Sequence, residues 1–194
     1  MMEMQGSRTL AVSQQQAWDG LNDPEVLKAS IPGCEKVERT GDDRFNVGVA
    51  VKVGPVSAKF AGKIALTDIQ PPERYTLGFE GQGGAAGFGK GTAQVRLAPQ
   101  GEGCEIHYTV HAQVGGKIAQ VGQRLIDGVA RSMAEDFFKR FEQEMQRRHP
   151  EAAAAVAAAP LNSTPAAPGR TIPAWTWISA AVIVALAAGF WLLR

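Results

Sequence analysis

The 194-residue chain is poor in the residues that usually build reactive or cross-linked sites. It has two cysteines, Cys34 and Cys104, far apart and without CxxC spacing. That is too few for a secreted disulfide framework, and the expectation is two small, half-buried thiols in a reducing compartment. There are only three histidines, too sparse for an obvious metal-ligand set. Charge of one sign is also missing. Twenty basic against nineteen acidic side chains leave a net charge of +1, which gives no reason to expect nucleic acid as a partner. Met1 to Leu10 carries Glu3, Gln5 and Arg8 and no apolar core of a signal peptide, so the expectation is a domain that stays in the cytoplasm. Beyond Glu151 the only charged residues are Arg170 and Arg194.

That last absence marks the clearest feature present. Thr171 to Leu193 carries no charge, and Ile178 to Leu193 is nearly all apolar. As a helix, these residues would extend about 34 Å, enough for a bilayer core of about 30 Å. Trp175 and Trp177 at one end and Trp191 at the other would lie about 24 Å apart, near the two headgroup regions. The expectation is a single transmembrane helix over 172–193. Arg147, Arg148 and Arg170 before the span, against Arg194 after it, favour a cytoplasmic N-terminal domain. Residues 148–171, rich in alanine and proline, cannot bury a core and read as a linker.

The remaining residues, 1–147, read as one domain. Arg8 to Val12 suits a first strand. Ser13 caps a short helix through QQQAWDGL, and Asp23-Pro24 opens a second, PEVLKAS. In RFNVGVAVKV, Phe45, Val47, Val49, Val51 and Val53 alternate with Asn46, Gly48, Ala50 and Lys52. Ala58, Phe60, Gly62, Ile64 and Leu66 repeat the pattern after Gly54-Pro55. Further strands fit Tyr75 to Glu80, Thr92 to Ala98 and Cys104 to Val114, joined by short connections that imply an antiparallel sheet. A long helix over about 116–146 carries Ile118, Val121, Leu125, Val129, Met133, Phe137, Phe141 and Met145 at spacings of three or four. The order predicts an α+β helix-grip architecture, a curved antiparallel sheet around a long C-terminal helix. An apolar cavity between them suits a hydrophobic ligand.

Four segments tempt a chemical reading. Gly84 to Lys90 in GQGGAAGFGKGT approximates a phosphate loop, but Gly91 stands where Ser or Thr would bind magnesium, and strands flank the segment. A hairpin loop at a sheet edge is the plainer reading, and a lid over the cavity tipped by Phe88 is the other. His107 and His111 share the polar face of a strand with no third ligand nearby, so they read as solvated side chains. Asp127 suits a pair with Arg131 or Arg124 better than acid–base work. Tyr108 faces inward and is either a core tyrosine or a hydrogen-bond donor to a quinone carbonyl. No Ser–His–Asp or Cys–His set forms, because Cys104 and His107 face opposite sides of their strand.

Three blocks carry a family resemblance: GGKIAQVGQRLIDGVARSMAEDFFKRFEQEM (Gly115 to Met145), SIPGCEKVE (Ser30 to Glu38) and VKVGPVSAKFAGKI (Val51 to Ile64). Together they resemble the CoxG family of aerobic carbon monoxide dehydrogenase, within the START-like polyketide-cyclase and lipid-transport (SRPBCC) superfamily. The resemblance implies recruitment of a molybdenum hydroxylase to the cytoplasmic membrane and the handling of a quinone that takes its electrons. It supplies no catalytic residue. The candidate site is therefore a set of cavity-lining positions: Val47, Val49, Val51, Phe60, Ile64, Leu77, Phe79, Phe88, Tyr108, Val121, Leu125 and Val129. The expected function is a non-enzymatic membrane recruitment factor for a carbon monoxide dehydrogenase-like enzyme, with a quinone in the cavity and no metal. A membrane-tethered carrier of lipid or another hydrophobic molecule is the alternative, and a cyclase or hydrolase acting in the cavity is the third reading.

Overall fold

The computed structural model describes residues 2–151. The linker from 152 onward, the span over 172–193 and Trp175, Trp177 and Trp191 lie outside the described residues. Among those described, no helix is long and apolar enough to cross a membrane.

Seven strands form one antiparallel sheet: β1 (Met2–Leu10), β2 (Cys34–Gly41), β3 (Arg44–Val53), β4 (Val56–Gln70), β5 (Arg74–Gln82), β6 (Phe88–Gln100) and β7 (Gly103–Gly115). Their order is β1-β7-β6-β5-β4-β3-β2, so five consecutive hairpins carry the chain across the sheet from β2 to β7. The first strand then pairs with the last, Met2 opposite Ala112 and Leu10 opposite Cys104. This strand begins earlier than its sequence suggests. Its polar residues, Glu3, Gln5 and Ser7, are exposed and alternate with half-buried Met2, Met4 and Gly6 at a sheet edge.

Between β1 and β2 lie α1 (Gln14–Leu21) and α2 (Pro24–Ser30). Both start where their caps predict. Ser13 Oγ accepts from the Gln16 N–H at 3.3 Å, and Gln16 Oε1 accepts from the Ser13 N–H at 3.0 Å, a reciprocal capping box. Asp23 Oδ1 accepts from the Glu25 and Val26 N–H groups, and Pro24 occupies the first helical turn, where no donor is needed.

The long helix is shorter than its apolar spacing suggests. Residues Lys117–Val121 form a 3-10 turn, and α3 runs over Gln123–Arg148. The break is Gly122, whose φ of 96° is a left-handed conformation that glycine adopts without steric cost. An apolar repeat runs through both pieces, and periodicity alone cannot reveal a turn between them.

α3 packs on the concave face of the sheet. The main core joins Leu10, Val12, Trp18 and Leu21 to Leu97, Ile106, Phe138, Phe141 and Met145. At its C-terminal end α3 is held by charge. Arg148 bonds Asp23 Oδ2 and Glu144 Oε1, each at 2.7 Å, and Arg147 Nε bonds Glu144 Oε2 at 2.9 Å. Burial pushes the Asp23 carboxyl up, but the Glu25 N–H, Arg148 and the Val26 N–H outweigh it and leave its pKa below the usual range. The two arginines, through hydrogen bonds and charge, pull Glu144 down to about 2.

Candidate functional site

The alternation of β3 and β4 sends their apolar side chains to the concave face, where α3 covers them only in part. Between sheet and helix is a cavity of about 440 Å³. Strands β3, β4 and β5 supply Val47, Val49, Val51, Val53, Phe60, Ile64, Leu77 and Phe79. The lower wall is Ile118 with Ile126, Val129, Ala130 and Met133 from α3, and Phe88 stands at one end. The charged residues that border it, Lys63, Glu80 and Lys90, occupy outward-facing positions between inward neighbours. The wall is almost wholly carbon. A second apolar chamber of about 190 Å³ adjoins it, sharing Ile31, Val47, Ile64 and Leu77 and running on to Tyr75, Phe137 and Phe138.

Of the expected lining positions, nine border the main cavity: Val47, Val49, Val51, Phe60, Ile64, Leu77, Phe79, Phe88 and Val129. Three do not. Val121, in the 3-10 turn, packs against the cluster of Val53, Ile118 and Ile126. Leu125 is 42% exposed, because the break at Gly122 puts Ile126 on the inward face and leaves its neighbour at the surface. Tyr108 lines the smaller chamber and not the main one. Its ring stacks on Phe138 with centroids 5.2 Å apart and lies across Gly6, where a Cβ would stand 2.5 Å from the hydroxyl oxygen. The residue opposite on β1 is therefore what lets the tyrosine fold away from the main cavity. Sequence reasoning misses Ile31, Ile118, Ile126, Ala130 and Met133 as lining residues. Ile118 and Met133 are visible in the helical stripe, whereas Ile31 sits in an irregular segment with no period to follow.

The chemical candidates are found apart from this cavity. The glycine-rich segment is the β5–β6 hairpin, a three-residue 3-10 turn (Gly84–Ala86) closed by the Gly83 N–H donating to the Gly87 carbonyl at 2.8 Å. It joins two central strands, so it is not at a sheet edge. His107 is exposed on the outer face, its Nε2 3.3 Å from Glu105 Oε2, and His111 is exposed on the same face. Asp127 accepts from Gln123 Nε2 at 2.7 Å instead of pairing with an arginine. Both cysteines are free thiols, and burial pushes Cys104 up to about 11. Tyr75, buried and edge-on to Trp18 at 5.5 Å, is likewise pushed up by burial. Among the described residues no group of three or more His, Cys, Asp or Glu could hold a metal ion. A larger depression of about 840 Å³ on the outer face is bordered by exposed Arg44, Lys63, Glu80 and Lys90. Water competes for the charged groups there, so the carbon-lined cavity is the better site for an apolar ligand.

Comparison with known proteins agrees with this geometry. The family model for the carbon monoxide dehydrogenase component CoxG matches residues 6–146. Among solved structures, a conserved protein from Geobacillus kaustophilus is 35% identical, covers 75% of this chain and 96% of its own, and superposes with a TM-score of 0.71. A Thermus thermophilus protein is 16% identical over 76% of this chain and 99% of its own, with a TM-score of 0.59. An aromatase/cyclase from Streptomyces is 15% identical over 76% of this chain and 94% of its own, with a TM-score of 0.55. The last two are similar in fold alone. Among curated proteins none matches.

Proposed function

The chain belongs to the CoxG family of carbon monoxide dehydrogenase, and from that membership we propose a non-enzymatic factor that recruits a molybdenum hydroxylase of the carbon monoxide dehydrogenase kind to the cytoplasmic membrane and holds a quinone-like molecule in its cavity. The observation that carries the ligand half is the carbon-lined chamber of about 440 Å³. A benzene-sized hole takes about 150 Å³, so the chamber has room for about three such volumes. That suits a bicyclic quinone head with a short stretch of isoprenoid. Val49, Phe60, Leu77, Phe79, Val129 and Met133 would hold the ring by dispersion and exclusion of water. No side-chain donor reaches a quinone carbonyl from this wall, and the residues therefore fit the apolar body of the molecule better than its polar edge.

The recruitment half is supported by family membership and by the uncharged stretch at 171–193 with its flanking tryptophans. The same cavity equally serves a membrane-tethered carrier of another hydrophobic molecule, with no enzyme partner. A cyclase or hydrolase needs at least two polar groups converging on the substrate, and the titratable side chains described above point elsewhere. The test has two arms. Native mass spectrometry of the full chain extracted from membranes is expected to detect a bound isoprenoid quinone, and a bound phospholipid or fatty acid alone would favour the carrier. Deleting Thr171 to Arg194 is expected to move the partner oxidoreductase from the membrane to the soluble fraction while its activity with a soluble dye acceptor persists. Equal pelleting with and without the deletion would end the recruitment reading.

A further inference from the structure

A prenylated ligand whose head fills the chamber must leave most of its tail outside, so the surface around the opening matters. Phe88 borders the chamber and is 45% exposed; Leu125 is 42% exposed. These are the two exposed large hydrophobic side chains among the described residues, and both lie on segments that contact one another. Three segments meet there: the β3–β4 turn at Gly54-Pro55, the β5–β6 hairpin, and the Gly116–Leu125 segment leading into α3. The Leu125 side chain reaches Gly54, where a Cβ would stand 2.9 Å away, and Gly87 packs backbone to backbone on Gly115 and Gly116.

Charge at this end is one-sided. Residues 51–62, 81–91 and 114–125 contain Lys52, Lys59, Lys90, Lys117 and Arg124 and no aspartate or glutamate, in a chain whose net charge is only +1. Lys59 is paired with Glu35 at 2.7 Å, and Lys90 stands opposite Glu80 in the β5–β6 register. Lys52, Lys117 and Arg124 are exposed and have no ion-pair partner among the described residues. Two bare apolar side chains on segments that also carry three uncompensated cations match the layering of a bilayer surface, acyl chains beneath anionic headgroups. An acidic protein surface would complement the cations but not require the apolar tips.

We propose that this rim docks on an anionic lipid surface, with Phe88 and Leu125 entering the headgroup–acyl boundary and Lys52, Lys117 and Arg124 contacting the headgroups. The opening of the chamber then faces the acyl region, and an apolar ligand passes in or out without crossing water. The proposal rests on the reading of the cavity as a ligand chamber for its purpose. Its geometry does not depend on which ligand is bound.

The test is amide hydrogen exchange on the full chain reconstituted in phosphatidylcholine vesicles with and without phosphatidylglycerol. Exchange in peptides covering 53–56, 83–88 and 116–125 is expected to slow about tenfold when the anionic lipid is present. Phe88→Ser with Leu125→Ser should abolish that protection. Lys117→Gln should weaken docking about fivefold, the factor for one juxtamembrane cation. All three positions are exposed, so none of these variants threatens the fold, and unchanged protection elsewhere checks this. Rim peptides that exchange equally fast on both vesicles would overturn the proposal. So would protection that survives the Phe88/Leu125 substitutions, or protection produced by the partner oxidoreductase and not by lipid. Mass spectrometry of bound ligand in the same samples separates the two readings. Ligand without rim protection removes the docking, and rim protection without ligand removes the chamber.

Discussion

Filling the cavity tests whether it is a binding chamber or a packing fault. Ala130 projects from α3 into the chamber, and Ala130→Phe adds one phenyl ring in place of empty space. A ring needs about 150 Å³, about a third of the roughly 440 Å³ available. Its burial contributes about 1.5–3 kcal/mol, and small adjustments of Val129 and Met133 offset about 1 kcal/mol of that. The net is a gain of about 1 kcal/mol, or a Tm rise of about 2–4 °C for a domain of this size. About two ring volumes remain, enough for a bicyclic head but not for the isoprenoid stretch beside it, so occupancy should fall while the fold gains stability. The assays are thermal unfolding by circular dichroism and native mass spectrometry of protein extracted from membranes. Stability and occupancy moving in opposite directions is the expected result. A fall in Tm would mean that the space is already closed in solution. Undiminished ligand at higher Tm would mean that the ligand binds elsewhere.

Acid should loosen the C-terminal clamp within a defined window. Glu144 is held at about 2 in the folded chain, below its unfolded value, so its stabilisation is complete above the unfolded pKa of about 4.3 and fades as pH falls toward the folded value. Urea midpoints measured from pH 5 to pH 2 should therefore drop more steeply in the wild type than in Glu144→Gln, and parallel curves would refute the clamp's contribution. Phe141 is completely buried between α1, α3 and the sheet, so Phe141→Ala should cost about 3–5 kcal/mol in urea unfolding. A loss below about 1 kcal/mol would show that the surrounding core collapses onto the gap.

Much of this architecture is legible in the residues because local signals and tertiary packing agree. Ser13 with Gln16 and Asp23 with Pro24 announce two helix starts, and the Phe45 to Val53 alternation announces a strand with one face inward. Where the two disagree, pattern misleads. The apolar spacing of Ile118, Val121, Leu125 and Val129 continues across Gly122, and only the left-handed backbone there reveals that the stripe changes face. Tyr108 is inward by strand parity, yet its final position depends on Gly6, a residue far away in sequence that leaves room for the ring. The start of the first strand is hidden because an edge strand needs little apolar content. The candidate site is therefore visible wherever strands build it, and obscure where turns and the start of α3 do.

The length of α3 has a mechanical meaning in the tethered arrangement proposed above. Twenty-six helical residues separate its two ends, about 39 Å along the axis. The rim with Phe88 and Leu125 is at one end, and the chain departs toward its linker from the other, beside the Arg148–Asp23 pair. In that arrangement the domain would hang from its heel, and its lip would have to bend down to the bilayer. The 23 residues from 149 to 171 could reach at most about 80 Å, about twice the length of α3. A leash cut below about 12 residues could not span the helix's own length, and would hold the lip away from the membrane however strongly its lysines were drawn there.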